Sequence, residues 1–192
     1  VTITDCIATL VEPDPFAALN VLRTTFETDR LPEGWLSRLA RFNEVWVPSQ
    51  QNYRAFRRSG VPPERLRVVP SCYDEHLYRP EGPRLTLPPE LHGRFVFLSV
   101  FDWQLRKGWD LLLRAYCQEF SGAEPVGLLL KISRAHGHTL PLIRAQADEV
   151  LAGFGQALIH RTDIVVWDLS LGAREMAALY RRGGFGYGQI KT

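Results

Sequence analysis

Apolar, strand-like runs alternate with amphipathic stretches along almost the whole of this 192-residue chain, and the alternation breaks once. Residues 21–28 read as a strand and residues 33–41 as a short helix opened by Pro32. Residues 44–48 read as a strand, and residues 49–58 as a helix with Ser49 as N-cap and Gly60 at its C-terminal cap. Residues 66–69 read as a short buried strand ended by Pro70. Residues 78–89 then carry Pro80, Pro83, Pro88 and Pro89 with Gly82 and show no apolar period, which predicts a linker. Beyond it the spacing predicts strands over 94–100, 126–132 and 163–167, and helices over 109–120, 141–154 and 173–182. Such alternation points to parallel sheets covered by helices, in two Rossmann-like α/β units. In such sheets ligands bind at the carboxyl ends of the strands, and clefts between domains are favoured.

Composition sets limits on function. Hydrophobic residues make up 45% and charged residues 23%, the balance of a globular chain with a core. A net charge of +2 gives no reason to expect nucleic acid as a partner. Arg54, Arg57 and Arg58 read as a solvated helix face. Cys6, Cys72 and Cys117 are odd in number and widely spaced, against a disulfide framework or a zinc site and in keeping with a cytoplasmic location. His136 and His138 lack a third ligand at metal-binding spacing. No apolar run approaches a membrane span. The chain opens on Val1 and its one methionine is Met176, which predicts a fragment of a longer polypeptide.

The turn after the strand at 94–100 is the first chemical candidate. It runs Asp102, Trp103, Gln104, Leu105, Arg106, Lys107 and Gly108 into a helix. A helix N-terminus offers unsatisfied N–H groups and partial positive charge to a phosphate. Lys107 adds a point charge, Arg106 a bidentate fork, and Gly108 allows close backbone approach. An ordinary loop with two solvated basic residues is the alternative on the residues alone. With no G-x-G-x-x-G fingerprint, a nicotinamide cofactor is not expected.

The wider pattern resembles a known family. Trp46-Val47-Pro48-Ser49, then Gly60-Val61-Pro62, then Val68-Val69-Pro70-Ser71-Cys72-Tyr73-Asp74 follow the order seen in GT-B glycosyltransferases of the retaining glycosyltransferase family 4. Ser71 stands where that family has asparagine, and Cys72 where it has glycine. Residues 97–103 and 106–110 are similar to the opening of its donor domain, and residues 175–180 to the helix before its donor-sugar loop. The resemblance spans about residues 21–182. It implies an acceptor-side domain ending in residues 1–77, a linker at 78–90, and an incomplete donor domain at 91–192.

The implied activity is transfer of a sugar from a nucleotide-diphosphate donor, a UDP- or GDP-sugar, to a hydroxyl acceptor, with retention and without a metal or other cofactor. The acceptor would be a sugar, a glycan or a lipid-linked sugar, the last involving peripheral membrane contact. The family's donor-phosphate lysine falls on Lys107, and the place of its partner arginine is taken by Phe101, with Arg106 as a substitute charge. Asp168 and Leu169 fall in the turn that lines the nucleobase pocket. Trp103 is expected at the cleft. Glu27 falls where many relatives carry an acceptor-facing histidine, and is the candidate catalytic residue. A Glu27 paired with Arg30 or Arg23 is the structural alternative. The family's paired glutamates find no counterpart in residues 183–192, which end without an acidic side chain and show no strand signal. The chain as given is therefore expected to be inactive alone. A non-catalytic α/β nucleotide-binding or interaction module and a sugar-nucleotide epimerase of the same fold are the competing readings.

Overall fold

The computed structural model describes residues 1–134, 137–182 and 185–187. The chain divides into two units, the first Val1–Tyr73 and the second starting at Asp74.

The first unit is a four-stranded parallel sheet in chain order: β1 (Thr2–Asp5), β2 (Asn20–Arg23), β3 (Glu44–Val47) and β4 (Leu66–Val68). Two helices, α1 (Trp35–Leu39) and α2 (Gln50–Arg58), connect the last three strands. Leu22, Val45, Val47 and Leu66 are buried against Trp35 and Leu39 from α1 and Ala55 and Phe56 from α2. Ser49 caps α2 as its sequence predicts, its hydroxyl accepting from the Asn52 amide. Gly60 follows the helix with φ 105°, the conformation a C-terminal glycine supplies. β1 has no counterpart among the sequence-based expectations. β2 is shorter than the expected 21–28 for a visible reason. The Thr24 amide still donates to the Trp46 carbonyl at 3.0 Å, but the side chain of Asn52 then captures the Phe26 backbone and draws the chain off the sheet.

The second sheet is also fully parallel, in the order β7-β6-β5-β8, with β5 at Phe95–Asp102, β6 at Val126–Ser133, β7 at Ile164–Trp167 and β8 at Phe185–Tyr187. Three helices join the strands: α3 (Trp109–Glu119), α4 (Leu140–Ala152) and α5 (Ala173–Tyr180). Side chains alternate across the sheet. On one face Phe101, Leu128, Leu130 and Ile132 pack with Leu113 and Tyr116 of α3 and Ile143, Ala147 and Leu151 of α4. On the other, Val96, Leu98 and Leu129 pack with Leu179 of α5.

β8 corrects the expectation of no strand in the glycine-rich close. Its backbone pairs with the edge of β5, Phe97 opposite Phe185 and Ser99 opposite Tyr187, so its existence depends on a partner strand more than on its own apolar pattern. With β8 in place the strand order reverses at β5. Sheets of this kind bind ligands at such a switch point, outside the carboxyl ends of the strands.

The segment expected as a linker folds onto the second unit. Prolines remove amide donors, and several of the segment's carbonyls turn instead to Arg181 at the end of α5. Its guanidinium donates to the carbonyls of Leu77 (2.5 Å), Arg79 (2.8 Å) and Pro83 (3.1 Å), while the Leu85 amide donates to Ala178. Leu87 and Leu91 are buried in the α5-side core. Gly127 permits this approach, because a Cβ there would stand 2.5 Å from Leu91 Cδ2.

Candidate functional site

The site is built where β5 gives way to α3. After Asp102 the chain makes a single 3-10 turn at Leu105–Lys107, held by Lys107 N–H to Gln104 O and Gly108 N–H to Leu105 O, both 2.9 Å. Gly108 then adopts φ 68°, ψ 26° and serves as the N-cap of α3 without a side chain. A Cβ on Gly108 would meet nothing nearer than Leu111 Cδ1 at 4.0 Å. The glycine is therefore required by its left-handed backbone and not by crowding. Lys107 is partly buried and Arg106 is exposed, its Nε donating to Gln104 Oε1 at 2.9 Å.

Trp103 requires a correction. It is 1% exposed and lies in the α3-side core, stacked on Trp109 with ring centroids 4.3 Å apart. Its Nε1 donates to Gln146 Oε1 on α4 at 2.8 Å. A ring stacked with Trp109 and Phe101, satisfied at its N–H and withdrawn from solvent, is part of the core that supports the turn and offers no surface to a ligand. Phe101 points the same way and is a core residue.

The turn after β7 presents Asp168 and Leu169. Asp168 forms an ion pair with Arg134, Nε to Oδ2 at 3.1 Å, across the carboxyl ends of β6 and β7. Leu169 is 51% exposed. The next turn leads into α5, whose Glu175 carboxylate accepts from the Gly172 amide at 2.7 Å.

One residue of this edge was not singled out from sequence. Lys131 lies in β6 opposite Val100 of β5 and Trp167 of β7, and is only 8% exposed. Its ammonium donates to the Ile132 carbonyl at 2.9 Å. Burial pushes its pKa down, while the charges of Asp168 and Asp102 act in the opposite sense. The available signal was a lone cation inside the apolar run Leu128-Leu129-Leu130-Lys131-Ile132.

In the first unit, Glu27 is an exposed loop residue beyond β2. The loop is fixed by Asn52, whose side chain accepts from Thr25 Oγ1 (2.6 Å) and donates to the Phe26 carbonyl (2.9 Å). Arg23 pairs with Asp5 at 2.5 Å and donates to Ser71 Oγ at 2.8 Å.

The densest buried polar cluster is remote from this edge. At the amino end of β7, Arg161 makes two 2.8 Å hydrogen bonds to Asp163, whose carboxylate also accepts from the Tyr116 hydroxyl at 2.9 Å. Among the described residues no group of three or more His, Cys, Asp or Glu is placed to hold a metal ion. His136 and most of the glycine-rich close lie outside the described residues. Among those described, no helix is long and apolar enough to cross a membrane.

Two parallel α/β units, the second with a strand-order reversal beside a glycine-capped helix, give a fold shared with solved GT-B glycosyltransferases. Solved structures sharing it include Anabaena HepE in complex with UDP and glucose, with TM-score 0.57 and 19% identity over 83% of this chain and 45% of that one. Another is the Burkholderia xenovorans α,α-trehalose-phosphate synthase (UDP-forming) in complex with glucose-6-phosphate. It matches with TM-score 0.63 and 16% identity over 88% of this chain and 47% of that one. The E. coli structure bound with UDP-2-fluoro glucose matches with TM-score 0.61 at 13% identity. This chain thus spans under half the length of the solved structures it matches. No protein-family profile and no curated protein sequence matches it.

Proposed function

We propose that this chain binds a nucleotide-diphosphate sugar at the carboxyl edge of its second sheet and forms part of a family 4-like glycosyltransferase. The observation that carries this reading is the turn at residues 102–108, set at the strand-order reversal of a GT-B fold. Lys107 and the N-terminus of α3 supply positive charge of the kind that a diphosphate leaving group, gathering negative charge, requires. With that charge supplied by protein, the transfer proceeds without a metal. Retention of configuration and a UDP- or GDP-linked donor belong to the same proposal. Glu27 is assigned to the acceptor side, where a carboxylate can orient a hydroxyl nucleophile.

Calorimetric titration with UDP and GDP tests the donor site. One of the two binds, and Lys107→Ala weakens it by about tenfold, the loss of one charge-assisted hydrogen bond. Equal affinity in Lys107→Ala would remove the turn from the phosphate site. Turnover is tested on the complete parent protein. Acceptor-dependent release of UDP or GDP supports the transferase, whereas binding without release identifies a non-catalytic module.

A further inference from the structure

Lys131 is an expensive residue to bury, since an ammonium removed from water needs compensating partners. Among the described residues it makes one hydrogen bond, to a neighbouring carbonyl, and no ion pair, although an ammonium carries three donors. Asp102 is a partly exposed carboxylate at the carboxyl end of β5, with no hydrogen bond of its own among those residues. The register puts both on one face of the sheet. Lys131 pairs with Val100 and Asp102 with Ser133, so the two side chains emerge on the α5 side, one strand apart and at the same edge. Phe101, between Val100 and Asp102 in sequence, points to the opposite face. Asp168 also acts on Lys131, but its own charge is engaged by Arg134.

We propose that Lys131 and Asp102 form a hydroxyl-reading pair in the donor site, the ammonium donating to a ligand hydroxyl and the carboxylate accepting from it. A cation and an anion that feel each other without touching suit a neutral group that both donates and accepts. They are less suited to an anion, which Asp102 would repel. The ligand class is a vicinal diol, and the proposal rests on the nucleotide-sugar reading above. That diol can belong to the ribose of the nucleotide or to the transferred sugar. The pair lies at the same edge as Lys107, which takes the phosphate charge, so the site divides charge recognition from hydroxyl recognition.

The test is calorimetry on the chain and its Lys131→Met and Asp102→Asn variants, with UDP, 2′,3′-dideoxy-UDP and UDP-glucose as probes; if GDP is the better ligand, the guanosine counterparts are used. Each variant is expected to weaken the hydroxyl-bearing ligand by about tenfold, and the double variant by little more than either single one. If the ribose is read, the wild type prefers UDP to its dideoxy analogue and both variants lose that preference. If the sugar is read, the variants leave UDP affinity unchanged and lower only that of UDP-glucose. Either pattern supports the pair. Unchanged affinities for all three probes in both variants would overturn it while leaving the donor-site reading intact. A wild type that binds no nucleotide would overturn both. Asp102→Asn is isosteric and partly exposed, so it keeps the test valid should Lys131→Met disturb the sheet.

Discussion

Trp103 stacks on Trp109 across the turn that links β5 to α3, their ring centroids 4.3 Å apart and their planes 21° from parallel. The two tryptophans flank Lys107 and Gly108 in sequence, so packing of the core fixes the shape of the proposed phosphate turn. Trp103→Ala should cost about 3–5 kcal/mol by leaving a cavity. Trp103→Phe should cost less, keeping a stacked ring and losing the bond to Gln146. Urea denaturation gives both values. If Trp103→Phe also leaves nucleotide affinity within about twofold, the ring's role is support; a large loss would return it to the site.

Gly108 tests the backbone contribution. Its φ of 68° is costly for an L side chain, although space for a Cβ exists. Gly108→Ala should lower stability by about 1 kcal/mol, and Gly108→Asn by less, since asparagine tolerates the left-handed region. Thermal melts of the two variants check the order. A destabilisation of Gly108→Asn equal to that of Gly108→Ala would argue against the backbone explanation.

Lys131→Met should raise stability near neutral pH while impairing the proposed hydroxyl recognition. Burial lowers the lysine's folded-state pKa below its ordinary 10.5, so between the two values the unfolded chain binds more protons than the folded one. Wild-type stability therefore rises with pH across that window, relative to a variant lacking the group. The variant's advantage, about 1 kcal/mol or more near neutral pH, should shrink as pH approaches 10.5. Denaturant titrations at pH 7 and pH 9.5 measure it, and an advantage that grew with pH would contradict the burial account.

Asp163 provides the opposite case. Burial alone raises its pKa, but the hydrogen bonds from Arg161 and Tyr116 and the charge of Arg161 outweigh it and hold the carboxyl below its usual value. Its contribution is present above the unfolded carboxyl's pKa, about 3.9, and is lost as pH falls through the lower folded value. Asp163→Asn should destabilise by about 3–5 kcal/mol at pH 7, because it leaves the Arg161 charge buried without its partner. The deficit should narrow on acidification below about pH 4, where the carboxyl of the unfolded wild-type chain takes up its proton before that of the folded one. Equilibrium unfolding at pH 7 and pH 3 tests both statements.

Local chemistry made much of the fold legible in the sequence. The apolar spacing around Val45, Leu98 and Leu129, the Ser49 cap and the Gly60 stop each act within a few residues, and the observed elements follow them closely. The basic turn was legible for the same reason, since strand, Lys107, Gly108 and helix are contiguous. Trp103 was misplaced because sequence shows an aromatic ring beside a basic turn but not which face of the sheet it occupies. Lys131 escaped notice because a charge in an apolar run acquires meaning only beside Asp102 on the next strand.

By itself, then, the sequence determined the alternation of strands and helices, the capped ends and the position of the basic turn, all set by backbone preference and near-neighbour pattern. The tertiary structure alone decided that β8 reverses the strand order at β5, that residues 78–90 fold onto α5 through Arg181, and that Lys131 and Asp102 share a face. These features depend on pairing and burial between residues far apart in the chain, where the stabilising partner is absent from any local window.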